Sequence, residues 1–172
     1  YPEGFLYLVK PWLRPFPTFL YSALPHQNDI LIRKEIKMDA DTNAVLVKYT
    51  NLGHHKLHFT LHPKFTMAPH HELNPPGSVD HEHFETSFEN SEEGCTFLAR
   101  RAANGLQVCG SMRGAELTPN RYSYYNVFYP WEVMNGYPGI GDQISLFELN
   151  FTLGIGESKI LLFADQPIAE AD

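Results

Sequence analysis

Apolar and polar side chains alternate every second residue through most of this chain. That period fits a strand with one buried face and does not fit an amphipathic helix. In "DILIRKEIKM", Ile30, Ile32, Ile36 and Met38 share one face, interrupted by Lys34, while Leu31, Arg33, Glu35 and Lys37 share the other. In "LHFTLHPKF", Leu57, Phe59, Leu61 and Phe65 alternate with His58, Thr60, His62 and Lys64. In "FELNFTL", Phe147, Leu149, Phe151 and Leu153 alternate with Glu148, Asn150 and Thr152. "NAVLVKYTN" and "SKILLFAD" are more evenly apolar and read as interior strands.

Turn chemistry separates these runs at "DADTN", "NLGHHK", "ENSEEG", "AANG" and "GIGES". No stretch keeps a 3.6-residue period, so the pattern predicts an all-β, many-stranded antiparallel sandwich with little helix. At 172 residues the chain is one domain's worth and can bury a full core. The long irregular segment 66–82 is the length that functional or mobile loops have. The chain opens on Tyr1 without a basic start, and prolines interrupt its first apolar residues. It therefore reads as a piece of a longer protein, with a processed or tagged chain as the alternative.

A net charge of −7 argues against nucleic-acid and anionic-membrane partners, which call for a basic face. No apolar run approaches a membrane span. Cys95 and Cys109 flank an Asn104–Gly105 turn. A two-residue hairpin there sets Arg100 opposite Cys109 and leaves Cys95 five residues away, too far for a disulfide. Two free thiols point to a reducing cytoplasm.

Eight of the nine histidines lie between His54 and His83. On a strand, "HEH" would put His81 and His83 on one face, as in a cupin-like metal-dependent β-barrel enzyme. The cupin spacing, a glutamate three or four residues after the pair, is not met, with Glu89 coming after five, and the second half-motif is absent. The residues themselves therefore predict no metal and no cofactor. Glu132 and Asp142 bracket the Gly-rich stretch "NGYPGIGD" and could converge on a ligand, as paired carboxylates do in glycoside hydrolysis. No nucleophile elbow, P-loop or dinucleotide fingerprint occurs.

Six rings fall between Tyr122 and Trp131 in "RYSYYNVFYPWEVMNGYPGIGD". One parity holds Tyr122, Tyr124, Asn126 and Phe128; the other holds Tyr125, Val127, Tyr129 and Trp131. One parity is expected to enter the core, leaving the other for a partner or a ligand. Rings stack on the C–H faces of sugars, and tyrosine and tryptophan are also enriched at protein interfaces. Both uses remain open on the residues alone.

The chain resembles the N-terminal domain of the bacterial and archaeal type of glycogen debranching enzyme, the amylo-α-1,6-glucosidase family. The likeness is carried by "YPEGFLYLVKPWLRPFPTFLY", "IRKEIKMDADTNAVLVKYT", "SYYNVFYPWEVMNGYPGIGD" and "FTLGIGESKILLFAD". Glu132, Gly136 and Asp142 match the family's acidic loop. Ala68 and Pro69, before His70–His71, stand where an Arg-Asp pair is usual; Asn135 and Gly141 also depart from the pattern. The resemblance implies a sandwich of the supersandwich, galactose-mutarotase-like type. In the family this precedes an (α/α)6 catalytic barrel, which residues 1–172 do not include.

The implied function is that of a non-catalytic N-terminal domain that packs on its own C-terminal catalytic domain. It would help shape a cleft for an α-glucan such as glycogen or limit dextrin. Tyr125, Asn126, Tyr129, Trp131, Glu132, Asp142 and His71 are the residues expected at the substrate or domain interface. None is expected to be catalytic. The rivals are an independent carbohydrate-binding module and the cupin-like metalloenzyme built on His54–His83.

Overall fold

The computed structural model describes residues 4–23, 29–39, 41–69 and 71–167. Its strands are β1 (Leu8–Trp12), β2 (Thr18–Ser22), β3 (Leu31–Asp39), β4 (Ala44–Asn51), β5 (Leu57–Leu61), β6 (Phe84–Asn90), β7 (Gly94–Arg101), β8 (Gln107–Arg113), β9 (Ala115–Phe128), β10 (Ile140–Leu153) and β11 (Ser158–Ala164). One short helix, α1 (Pro130–Met134), joins β9 to β10. An eight-stranded sheet runs β1-β2-β3-β4-β11-β8-β7-β6, and a three-stranded sheet runs β5-β10-β9. Every pairing is antiparallel. The fold is the all-β sandwich that the alternation predicts, and the five turn sequences fall between strands.

The buried parity of β10 supplies the centre. Phe147, Leu149 and Leu153 are fully buried. The Phe147 ring meets Phe65, Phe88 and Phe97 at centroid separations of 5.7, 5.4 and 4.6 Å. Phe151 stacks on Phe59 at 4.9 Å, tying β10 to β5, and Tyr49 of β4 leans on both rings. β4 and β11 lie inside the large sheet, as their even hydrophobicity predicts. Lys34, which interrupts the apolar face of β3, lies opposite Tyr49 with its ammonium 5.9 Å from that ring. Burial lowers the Lys34 pKa.

Burial, with a smaller contribution from Tyr21, pushes the Tyr49 phenol up to about 12. A raised folded pKa means that its stabilisation is complete below the unfolded value near 10 and is lost as pH rises through 12. About 2–3 kcal/mol is expected to disappear over that window. Urea titrations at pH 9 and pH 11.5 should show about two-thirds of this loss in the native protein and a much smaller one in Tyr49→Phe. Equal losses in the two would remove Tyr49 as the cause.

Two local expectations change. The β7–β8 hairpin pairs Arg100 with Gln107 and Leu98 with Cys109, not Arg100 with Cys109. The turn is longer than two residues because Asn104 is used elsewhere. Its side chain accepts from Leu106 N–H and donates to the Met67 carbonyl, while Gly105 takes φ +69. Cys95 now faces Met112, three residues from the Cys109 level, and both thiols are buried and free. The second change is at "HEH": His81–His83 form a 3-10 turn, not a strand. Asp80 caps it, and His83 Nδ1 accepts from Asp80 N–H.

Two asparagines act as fasteners. Asn51 is fully buried and donates to the carbonyls of His55, Leu153 and Gly154 while accepting from Gly53 N–H. It joins the β4–β5 turn to the β10–β11 turn. Asn90 lies beside edge strand β9, donating to the Leu117 carbonyl at 2.9 Å and accepting from Leu117 N–H at 2.8 Å.

Candidate functional site

The aromatic run is a surface. β9 gives Ala115 and Leu117 to the core, and none of the six rings from Tyr122 to Trp131 is buried. Tyr125, Phe128 and Trp131 are the most open, at 66, 61 and 68% exposure. Tyr124 and Tyr129 are half-buried. The expected division into a core parity and an outer parity is therefore corrected.

The cause is a bulge. Pairing of β9 with β10 shifts between Gly141 and Gln143, and Asn126 enters the left-handed region at φ 54. An extra residue breaks alternation and turns the strand. Phe128 pairs with Ile140, which is also exposed, so both lie on one uncovered face. Pro130 then opens α1, its fixed φ suiting the first helical position. Trp131, Val133 and Met134 stand exposed on that helix. Tyr129 lies at its cap, where its hydroxyl accepts from Gln143 Nε2 at 2.7 Å. Burial raises the Tyr129 pKa.

Asp142 supports this surface from below. It is 1% exposed, and both carboxylate oxygens are taken by backbone donors: Asn126 N–H at 2.9 Å and Gly77 N–H at 2.7 Å. One contact fixes the bulge and the other fixes the 66–80 segment. That segment is further pinned through Asn74, which is buried and donates to the carbonyls of Thr66 and Asp142. The Arg101 guanidinium donates to Asn74 Oδ1 at 2.6 Å and to the Thr66 and Met67 carbonyls. Close packing explains Gly141: a Cβ there would lie 2.9 Å from both the Asn74 oxygen and Leu73 Cβ.

Glu132 and His71 meet above this base. Glu132, on α1, lies 3.1 Å from His71 Nδ1. The His71 ring stacks flat on Tyr137, with centroids 4.4 Å apart and planes at 8°. His71 itself holds φ 63, a conformation that a residue with a Cβ rarely adopts. The stack, together with Tyr137 N–H donating to the Glu132 carbonyl, closes the acidic loop onto the 66–80 segment. His70 lies outside the described residues.

Of the seven residues expected at this site, Tyr125 and Trp131 are outward rings, and Asn126 makes the bulge beside them. Tyr129, Glu132 and His71 are half-buried supports, and Asp142 is internal. Glu132 and Asp142 do not form a pair of open carboxylates: one is joined to His71 and the other is saturated by N–H groups. Sequence reasoning passed over Phe128, Ile140, Val133 and Met134 on this surface, and Asn74 and Arg101 beneath it. Among the described residues no group of three or more His, Cys, Asp or Glu could hold a metal ion. No described helix is long and apolar enough to cross a membrane.

A family model, glycogen debranching enzyme N terminal, matches residues 1–160. Comparison with curated proteins and with solved structures gave no match.

Proposed function

The chain belongs to the glycogen debranching enzyme N-terminal family, and from that membership we propose that it is the non-catalytic N-terminal domain of a cytoplasmic amylo-α-1,6-glucosidase. It packs on a catalytic barrel and helps shape the cleft that receives α-glucan branches. The observation that carries this reading is the exposure of Tyr125, Phe128, Trp131, Met134 and Ile140, all within the segment from the end of β9 through α1 to the start of β10. An apolar surface of this kind, fixed from below by a dedicated hydrogen-bond network, is what a docking partner requires. The engagement of both acidic-loop carboxylates supports a supporting rather than a catalytic role. Two buried, unpaired cysteines suit a reducing compartment.

Trp131→Ala tests the reading. In the 172-residue protein an exposed ring is expected to change stability by less than about 0.5 kcal/mol. In an enzyme carrying the barrel, the same change is expected to cost at least about 2 kcal/mol, seen as weakened domain coupling or reduced release of glucose from a branched dextrin. Equal, negligible effects in both settings would refute the docking role of this face.

A further inference from the structure

The outer faces of the two sheets differ in chemistry. On the large sheet, Leu98 and Leu162 pack with Ala44, Cys109 and Ala164 into an apolar cluster, and β3 adds Arg33, Glu35 and Lys37. On the small sheet the corresponding positions carry hydroxyls, amides, imidazoles and few charges, and these bond to one another across the strands. Thr60 donates to Asn150 Oδ1 at 2.8 Å, and Asn150 reaches Thr118. Glu148 Oε1 accepts from Asn120 Nδ2 at 2.7 Å and from the Tyr122 hydroxyl at 3.3 Å, with His62 Nε2 at 3.7 Å. The His62 ring meets Tyr122 edge-on at 4.9 Å, and Tyr122 remains 42% exposed. Simple alternation along this half of β10 leaves Glu148, Asn150 and Thr152 half-exposed and outward while Leu149, Phe151 and Leu153 between them are buried.

We infer that this face is a binding strip for a neutral polyhydroxylated chain, an extended α-glucan, running along β10 toward the exposed rings of the docking end. A sugar hydroxyl both donates and accepts, so it can join a network of amides and hydroxyls without requiring a net charge. Side chains already fixed by cross-strand bonds lose little further freedom when a ligand lands on them. Tyr122 and His62 offer ring surface at the centre of the strip. An anion is disfavoured by Glu148, and a peptide helix would find no aliphatic anchor among these six residues: Thr60, His62, Asn120, Tyr122, Glu148 and Asn150. The assignment of an α-glucan rests on the reading given under Proposed function; the strip itself is separate from the Trp131 face.

The test is titration of the 172-residue protein with maltoheptaose, followed by backbone amide shifts and calorimetry. The expected result is millimolar or tighter binding with shifts centred on Asn120, Tyr122 and Glu148. Asn120→Ala and Tyr122→Ala should each weaken it about tenfold, equivalent to about 1.4 kcal/mol. Asn150→Ala, at the sheet surface, guards against a folding artefact and should weaken binding at an unchanged melting temperature. Maltoheptaose binding that is lost only in Trp131→Ala and Tyr125→Ala would overturn the strip while sustaining the role of the docking face. An absence of maltoheptaose binding would also overturn the strip, and the Trp131 experiment in the barrel-bearing enzyme would still decide the domain's wider role.

Discussion

Asp142→Ala is expected to lower the unfolding free energy by about 3–5 kcal/mol, although the residue lies in what looks like a surface loop. The alanine leaves two backbone N–H groups, of Asn126 and Gly77, without the buried carboxylate that accepts from both. Each such loss costs about 1–3 kcal/mol, and the lost acceptor is a carboxylate, which places the sum high in the range. The bulge and the 66–80 segment should loosen together, since one side chain holds both. Glu132→Ala is the contrast: its partner His71 is one-third exposed, and an ion pair of that kind is worth up to about 1 kcal/mol. Urea denaturation of the two variants checks the ordering. Similar losses in both would mean that Asp142 does not hold the loop.

Asn51→Asp is expected to be as damaging, at about 3–5 kcal/mol, despite differing from asparagine by a single group. The amide nitrogen of Asn51 faces three carbonyl oxygens, of His55, Leu153 and Gly154. An aspartate puts an acceptor, and at neutral pH a negative charge, in front of three partial negative charges. Asn51→Ser removes the donor without adding charge and should lose less. Thermal unfolding of the two at pH 7 distinguishes them; an aspartate no worse than the serine would show that the carbonyls have found other donors.

The parts of this fold written in the alternation were legible in the chain. Phe147, Leu149, Phe151 and Leu153 follow one parity through β10, and local sterics alone carry that signal. The bulge at Asn126 was not legible, because it depends on a carboxylate sixteen residues later in the chain. That bulge is also why the rings of β9 defied the parity rule. The length of the β7–β8 turn was hidden for a similar reason: Asn104 spends its amide on Met67, a contact that no local window contains. Helix α1 is too short for a period to show, and its only signals were Pro130 at its start and Gly136, at φ +81, past its end. At the site, the residue types were readable and their division of labour was not. Glu132 and Asp142 look equivalent in the sequence, and only burial separates a loop clasp from an internal anchor.

The amide of Asn90 sets the polarity of the free seam along β9. By bonding to both main-chain groups of Leu117, it substitutes for one residue of a neighbouring strand and leaves nothing there for an incoming chain to read. Alternation puts the next outward position at Pro119, which has no N–H to offer. The protected stretch thus covers the beginning of β9, and among the described residues no strand pairs with this edge further along, toward Tyr125 and Phe128. Any polypeptide that zips onto this edge must start from the aromatic end and stop short of Asn90. Without that amide the seam would run further along the strand, and a longer open edge is a template on which copies of the domain could polymerise.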